Sequence, residues 1–247
     1  MTRPLIGDLQ FFYGTLPQPC PYLPGQMESK VVTELVGQRA RSLHEDLSRA
    51  GFRRSHNLAY KPACQGCNAC IPVRVPVADF SPSRSLKKVW RRNADLIARE
   101  RPAKATAEQF AVFARYQQWR HGDGGMAEMN FNDYRTMVED TPIDTMMVEF
   151  RDSEGTFLGA SLTDRLGDGL SGVYKFFEPS QAQRSAGTYI VLWHIERARE
   201  LGLDYLYLGY WIAGCGKMSY KTRFRPIEAF GLDGWRLMDD EPDNPPV

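Results

Sequence analysis

Thr145-Met146-Met147-Val148-Glu149-Phe150, Phe157-Leu158-Gly159-Ala160-Ser161-Leu162-Thr163-Asp164 and Leu170-Ser171-Gly172-Val173-Tyr174-Lys175-Phe176-Phe177 are three consecutive strand-like runs. Their separators, Asp152-Ser153-Glu154-Gly155 and Gly167-Asp168-Gly169, have hairpin turn chemistry, so the runs read as an antiparallel meander. An amphipathic helix over Thr188–Leu201 follows and ends at Gly202. Tyr205–Tyr210 reads as the next strand. Meander, helix and strand together predict an α+β or mixed α/β fold.

Towards the N-terminus, Ala105–Trp119 predicts a helix with Phe110, Phe113, Ala114 and Gln117 on one side. Ser83–Arg99 predicts another, with Ser83 as its cap. Arg39–Ala50 reads as a helix closed by Gly51. Asn57–Lys61 and Ile71–Val77 read as short strands, and Pro72 and Pro76 mark the second as an edge or bulged strand. Four prolines between Gly14 and Gly25 predict an irregular loop. A change of character near residues 80–104 divides the chain into an N-terminal domain over 1–80 and a second domain over 81–238. The acidic, proline-rich residues 239–247 read as a flexible tail.

A chain of 247 residues can bury a sizeable core, and apolar and charged fractions of 43% and 25% argue against global disorder. A net charge of +1 excludes a uniformly basic nucleic-acid binder but leaves room for a basic patch. No run approaches the roughly 20 apolar residues that cross a bilayer, and residues 1–8 lack a secretory core. The expectation is a cytoplasmic protein with no membrane partner. Its five cysteines, an odd number, then point to metal, redox or buried thiols rather than a disulfide framework.

Several stretches carry chemistry. The helix start at Arg184-Ser185-Ala186-Gly187-Thr188 offers free N–H groups, a cation and a glycine that admits close approach, a combination suited to phosphate. The segment Arg84–Arg92 holds five cations and no acid, with Arg84, Lys88, Arg91 and Arg92 on one helical face that suits a phosphate backbone. Cys64, Cys67 and Cys70, with Cys20 as a fourth, have spacing open to zinc or an iron–sulfur cluster and equally to packed thiols. Tyr210-Trp211 followed by Lys217, Lys221, Arg223 and Arg225 reads as a pocket wall or as an aromatic cluster with snorkelling lysines. His194 reads as a satisfied structural histidine. No Ser-His-Asp signature or Walker A loop is present.

Six stretches, in this order, resemble the motifs of the aminoacyl-tRNA–protein transferases. They are Cys20–Gln26, Gly51–Ser55, Tyr60–Cys70, Arg184–Thr188, Tyr207–Ile212 and Lys217–Lys221. The resemblance runs from Cys20 to Trp235 and reaches both the bacterial leucyl-transferring enzymes and eukaryotic arginyltransferase. It implies a cytoplasmic enzyme of the N-degron pathway that moves leucine from leucyl-tRNA onto the α-amine of proteins beginning with Asp or Glu. It further implies a GNAT-like (acetyltransferase-like) catalytic domain beside the smaller cysteine-bearing one. No cofactor beyond the charged tRNA is implied. Two positions depart from the pattern: Ala186 stands for a larger residue, often Leu, and Ser55-His56 for Ser-Gly. The cysteines of the arginyl relatives are linked to metal, but their spacing differs from that of Cys20, Cys64, Cys67 and Cys70 here.

Under this resemblance, recognition of an acceptor Asp or Glu falls to Arg53 or Arg54, with Ser55 beside them, because a carboxylate needs a planar cationic fork. Arg184, Gly187 and Thr188 are expected to hold the tRNA acceptor end. Arg84, Lys88, Arg91, Arg92 and Lys221 would meet its phosphates, and Tyr174, Tyr210 and Lys217 would line the ester site. An acetyl-CoA-dependent GNAT enzyme and a metal- or redox-sensing RNA-binding module without catalysis are the competing expectations, and leucine and arginine both stay open as the donor.

Overall fold

The computed structural model describes residues 9–122 and 124–238, so the expected tail at 239–247 and residues 1–8 lie outside the described residues. Three short bridges, β1 (Tyr13–Gly14), β2 (Gln18–Pro19) and β3 (Met27–Glu28), precede β4 (Lys30–Glu34), α1 (Ala40–Arg49), β5 (Arg53–Ser55) and β6 (Leu58–Pro62). A small antiparallel sheet runs β1-β4-β6-β5, and β2 pairs with β3. There follow β7 (Ile71–Pro76), α2 (Arg84–Arg92), β8 (Ile97–Pro102), α3 (Ala107–His121), α4 (Phe131–Glu139), β9 (Thr145–Arg151), β10 (Phe157–Arg165) and β11 (Gly169–Phe177). Then come α5 (Ala186–Glu200), β12 (Tyr205–Trp211), β13 (Glu228–Gly231) and β14 (Gly234–Leu237). The second sheet has eight strands in the order β14-β13-β7-β12-β11-β10-β9-β8. Its single parallel pair is β11 with β12, joined through α5. The fold is mixed α/β with one large sheet.

The expected meander is present as β9, β10 and β11, and α5 and β12 follow it. Alternation along β9 builds a core on each face of the sheet. Met146, Val148 and Phe150 join Leu86, Val89, Tyr189, Ile190 and Ile195 of α2 and α5. Met147 joins Val112 and Phe113 of α3 and Tyr134, Met137 and Val138 of α4. Full burial of each large side chain is worth about 1.5–3 kcal/mol.

Three sequence expectations change. The helix expected over 83–99 stops at Arg92. Asn93 is fully buried there, its amide donating to Val89 O and Arg184 O, and the chain resumes as β8 at the edge of the large sheet. Strand β7 is interior rather than an edge. Its prolines are tolerated because β13 pairs only with Val73 and Arg74, so Pro72 and Pro76 stand beyond that ladder. Helix α4 and the β13–β14 hairpin were not anticipated, although the Asn130–Asp133 capping box announces α4.

A buried cluster fastens the small sheet to the large one. Arg54 of β5 donates to both carboxylate oxygens of Asp164 of β10, at 2.8 and 2.7 Å, and also to His56 O. Thr145 Oγ1 donates to the same carboxylate, and His44 Nε2 of α1 lies 3.6 Å from it. Burial drives His44 down to about 4 although Asp164 opposes the shift, with Arg54 and Arg53 pushing the same way as burial. His194 is the satisfied structural histidine expected, with Nδ1 donating to Ile190 O and Nε2 accepting from Thr163 Oγ1. Burial drives it, too, down to about 4.

These two histidines give stability a defined pH dependence. The unfolded imidazoles titrate near about 6.5, so between that pH and about 4 the unfolded state binds the extra protons. Stability is therefore complete above about pH 6.5 and falls as pH drops, by up to about 1.4 kcal/mol per pH unit for each histidine. Urea midpoints measured from pH 7 to 4.5 should decline accordingly. His44→Gln should lower the midpoint at pH 7 and reduce the slope. A flat profile in the unsubstituted protein contradicts the assignment.

Candidate active site

The parallel ladder between β11 and β12 covers only Gly169–Ser171 against Tyr205–Tyr207, and beyond it the two strands part. Both are irregular beside the gap. On β11 the register passes from Leu162↔Tyr174 to Thr163↔Gly172, leaving Val173 as an extra residue. On β12 it passes from Tyr207↔Arg74 to Gly209↔Val73, leaving Leu208. Bulges bend their strands and raise local twist, and one on each side separates the two strands.

Arg53 of β5 fills the notch. Its Nη2 donates to Gly172 O at 2.7 Å and to Val173 O at 3.3 Å. Gly209 has φ +77°, and a Cβ there would lie 2.7 Å from Arg53 Cζ, so both backbone conformation and space demand glycine. Arg53 Nη1 is buried and has no protein partner. Such an atom calls for a ligand or a functional reason.

Two lysines complete the cationic lining. Lys221, in the 3-10 turn Ser219–Arg223, is 7% exposed and donates Nζ to Tyr210 O. Burial pushes its ammonium down to about 8. Lys175 of β11 donates to the Tyr220 hydroxyl at 3.2 Å. The Tyr174 hydroxyl accepts from Gln117 Nε2 at 2.6 Å, and burial holds its phenol above the usual range. Tyr210 donates its hydroxyl to Gly51 O and Tyr60 O, both at 3.1 Å, which makes it a strut between the sheets. A cleft of about 520 Å3 lies against Pro21, Tyr22, Arg120, Cys215 and Lys217. Charge coupling links it to the gap: Arg53 acts on Tyr22, Cys215 on Lys221, and both Arg120 and Tyr220 on Tyr116.

Of the residues singled out from sequence, Arg53, Tyr210 and Lys221 meet at the gap, Tyr174 is bonded to Gln117 of α3, and Lys217 lines the cleft. Arg54 does not join them, because Asp164 and His56 O occupy its donors deep in the interior. Ser55 is exposed, its hydroxyl 3.1 Å from His56 Nδ1. A second group assembles around α2 and the start of α5. Arg84, Lys88, Arg91 and Arg92 are exposed on α2, Arg92 donates to Gln183 O, and Arg184 pairs with both oxygens of Asp95 at 3.0 and 2.9 Å. Trp90 is half-exposed against the Tyr189 ring. The space above Gly187 is taken by the ring of Phe177, 3.1 Å from where a Cβ would stand, so this glycine serves packing. Thr188 N donates to Ser185 O. Because Phe177 ends β11, this helix start and the gap share the C-terminal end of that strand.

Cys20, Cys64, Cys67 and Cys70 are free and half-buried. Burial, with the other three thiols, pushes Cys70 up to about 12. Cys64 Sγ exchanges hydrogen bonds with the backbone of Ser29. Among the described residues no group of three or more Cys, His, Asp or Glu side chains is arranged to hold a metal ion. The sequence reading passed over Lys175, Tyr22, Arg120 and Tyr220. Tyr22 and Tyr220 carried a signal, through their places inside Cys20–Gln26 and Lys217–Lys221.

A family model described as "Arginine-tRNA-protein transferase, N terminus" matches residues 18–88, and one described as "Arginine-tRNA-protein transferase, C terminus" matches residues 108–231. The chain is 59% identical over 226 residues to a protein of Paramagnetospirillum magneticum named aspartate/glutamate leucyltransferase, covering 92% of this chain and 93% of that protein. It is 56% identical to a Gluconacetobacter diazotrophicus protein of the same name, covering 93% and 88%. Among solved structures, L-PGS from Bacillus licheniformis aligns with a TM-score of 0.48 at 11% identity, covering 75% of this chain and 54% of that one.

The notch yields a direct test of packing. Gly209→Ala places a methyl group on Arg53 in a conformation unfavourable to alanine and should cost more than about 1 kcal/mol in urea unfolding. An unchanged midpoint would show that Arg53 does not fill the notch.

Proposed function

The chain belongs to the arginine-tRNA-protein transferase family, and on that premise we propose that it transfers leucine from leucyl-tRNA to the α-amine of proteins beginning with Asp or Glu. The reaction takes place in the cytoplasm and gives the acceptor a destabilising N-terminus, the entry to N-degron degradation. No helix among the described residues is long and apolar enough to cross a membrane. The observation that carries the reading is the cationic gap, where Arg53, Lys175 and Lys221 converge and Arg53 keeps a buried donor without a protein partner. A planar guanidinium with a free N–H edge suits a carboxylate, so Arg53 receives the acceptor's Asp or Glu side chain. Arg54 is spent on Asp164 and takes no part in recognition.

The chemistry asks little beyond positioning. An aminoacyl ester is already activated, so no covalent nucleophile is needed. Holding amine and ester together contributes several kcal/mol. Donors directed at the developing oxyanion contribute more, and the β11 backbone beyond Ser171 and Lys217 on the cleft wall supply them. Tyr174 lines the ester site and Tyr210 braces it. The exposed cations of α2, with Thr188 and the Asp95-held Arg184 beside them, take the acceptor arm of the tRNA. We assign an acetyltransferase-like (GNAT) catalytic unit to 81–238, with β7 built into its sheet from Ile71, and the N-terminal unit to the residues before it. The four cysteines are candidates for zinc or iron–sulfur ligation, the other three lying close enough to act on Cys70, and no step passes through them.

Leucyl-tRNA, arginyl-tRNA and acetyl-CoA offered with Asp-, Glu- and Ala-starting peptides test this reading. Leucine should pass to the Asp and Glu peptides alone, and transfer of arginine or acetyl in its place overturns it. In the same assay Arg53→Ala should raise the acceptor KM about tenfold or more, the cost of a lost charged hydrogen bond, with tRNA affinity unchanged. Charge reversal at Arg84, Lys88 and Arg91 should do the opposite, weakening tRNA binding and flattening its salt dependence. Equal effects on both substrates would reject the division.

A further inference from the structure

We propose that Tyr220, oriented by Lys175, is the proton acceptor that converts the incoming α-ammonium into the attacking amine, an assignment that rests on the transfer reaction inferred above. The placement comes first. Tyr220 is half-buried three residues beyond Lys217 of the cleft wall. Lys175 Nζ donates to its hydroxyl at 3.2 Å and stands 4.3 Å from the ring centroid, which fixes where the oxygen points. Arg53 from β5, Lys175 from β11 and Lys221 from the same turn face the phenol, with Tyr116 of α3 also in range. Cys215 acts on Lys221, and Lys175 acts on His194. Three cations around one phenol favour its anion. Burial alone would raise Tyr220, but Lys175, Lys221 and Arg53 outweigh it and bring the phenol down to about 8. An α-ammonium titrates near about 8 as well, so proton transfer between them is nearly thermoneutral. The other groups nearby are committed: Lys221 donates to Tyr210 O, and Tyr174 is bonded to Gln117.

The proton balance closes. The tyrosinate oxygen takes one proton from the –NH3+ group, leaving a neutral amine and a neutral phenol. The nitrogen lone pair then forms the bond to the ester carbonyl carbon, and the carbonyl π pair moves onto oxygen. That pair returns as the bond to the ribose oxygen breaks. The departing oxygen receives the phenol's proton while the phenol oxygen takes the second nitrogen proton. The products are an amide, a free ribose hydroxyl and a neutral phenol, which sheds one proton to solvent and restores the tyrosinate.

Single-turnover transfer from leucyl-tRNA to an Asp-starting peptide, followed across pH, separates the outcomes. Tyr220→Phe should lower the rate constant about a hundredfold or more while acceptor KM and tRNA affinity stay within about threefold. Replacement of Tyr220 by a fluorinated tyrosine, whose phenol is more acidic, should move the acidic limb of the profile to lower pH. The peptide's own amine cannot produce that movement. Lys175→Met should move the limb to higher pH. A Tyr220→Phe enzyme that is folded and within about threefold of the parent rate overturns the assignment, as does a limb unmoved by fluorination. If the parent enzyme transfers no leucine, the functional reading falls and this assignment with it, whereas transfer with an unmoved limb removes Tyr220 alone.

Discussion

Two strands in the middle of a sheet are forced apart, and an arginine holds the opening. Strand pairing between β11 and β12 ends after three rungs because each strand carries a bulge at that point. Carbonyl groups released from a ladder inside a protein need other donors. Arg53 supplies them to Gly172 and Val173, and Lys221 supplies one to Tyr210. The opening is thus maintained by the cations that give the site its charge. Arg53 reaches the notch because its neighbour Arg54 is locked onto Asp164, one rung from the Thr163–Gly172 pair, and this fixes β5 against the large sheet.

Many arginines of this protein are spent on carboxylates. Arg74 meets Glu228, Arg151 meets Glu108 and Glu149, Arg165 and Arg197 share Glu100, and Arg184 meets Asp95. Those at the gap are bonded instead to backbone carbonyls and to the Tyr220 hydroxyl. A carbonyl satisfies a donor without cancelling its charge. The gap therefore holds a positive field that backbone carbonyls do not cancel, with one Arg53 donor still unpartnered, an arrangement suited to the anionic acceptor proposed above.

A separate set of contacts joins α2 to α5. Asn93 donates to Arg184 O, Arg92 to Gln183 O, and Asp95 holds the Arg184 guanidinium. This bolts the basic stripe of α2 to the start of α5, and Gly187 lets that start settle on Phe177 at the end of β11. The surface expected to grip the nucleic acid and the gap expected to receive the acceptor are consequently tied to opposite ends of one short segment, from Gly172 to Gly187.

Local chemistry was enough for the meander, its hairpin turns, α3, α5 and β12, since hydrophobic period and turn residues act over a few positions. It sufficed too for the family, whose motifs are contiguous, and it singled out Arg53 and Lys221, which the structure brings together at the gap. It did not separate Arg53 from Arg54, because adjacent arginines differ only in what lies opposite them, and Asp164 stands 110 positions away. Nor did it end α2 at Arg92, where a buried Asn93 answers to Arg184 in a distant loop. Lys175 and Tyr220 were invisible as a pair for the same reason, being 45 residues apart and joined by a single hydrogen bond. Sequence alone determined which residue types and which local elements this protein possesses. Only the tertiary structure decided which charges are neutralised and which stay exposed to a substrate, because that depends on partners brought together by folding.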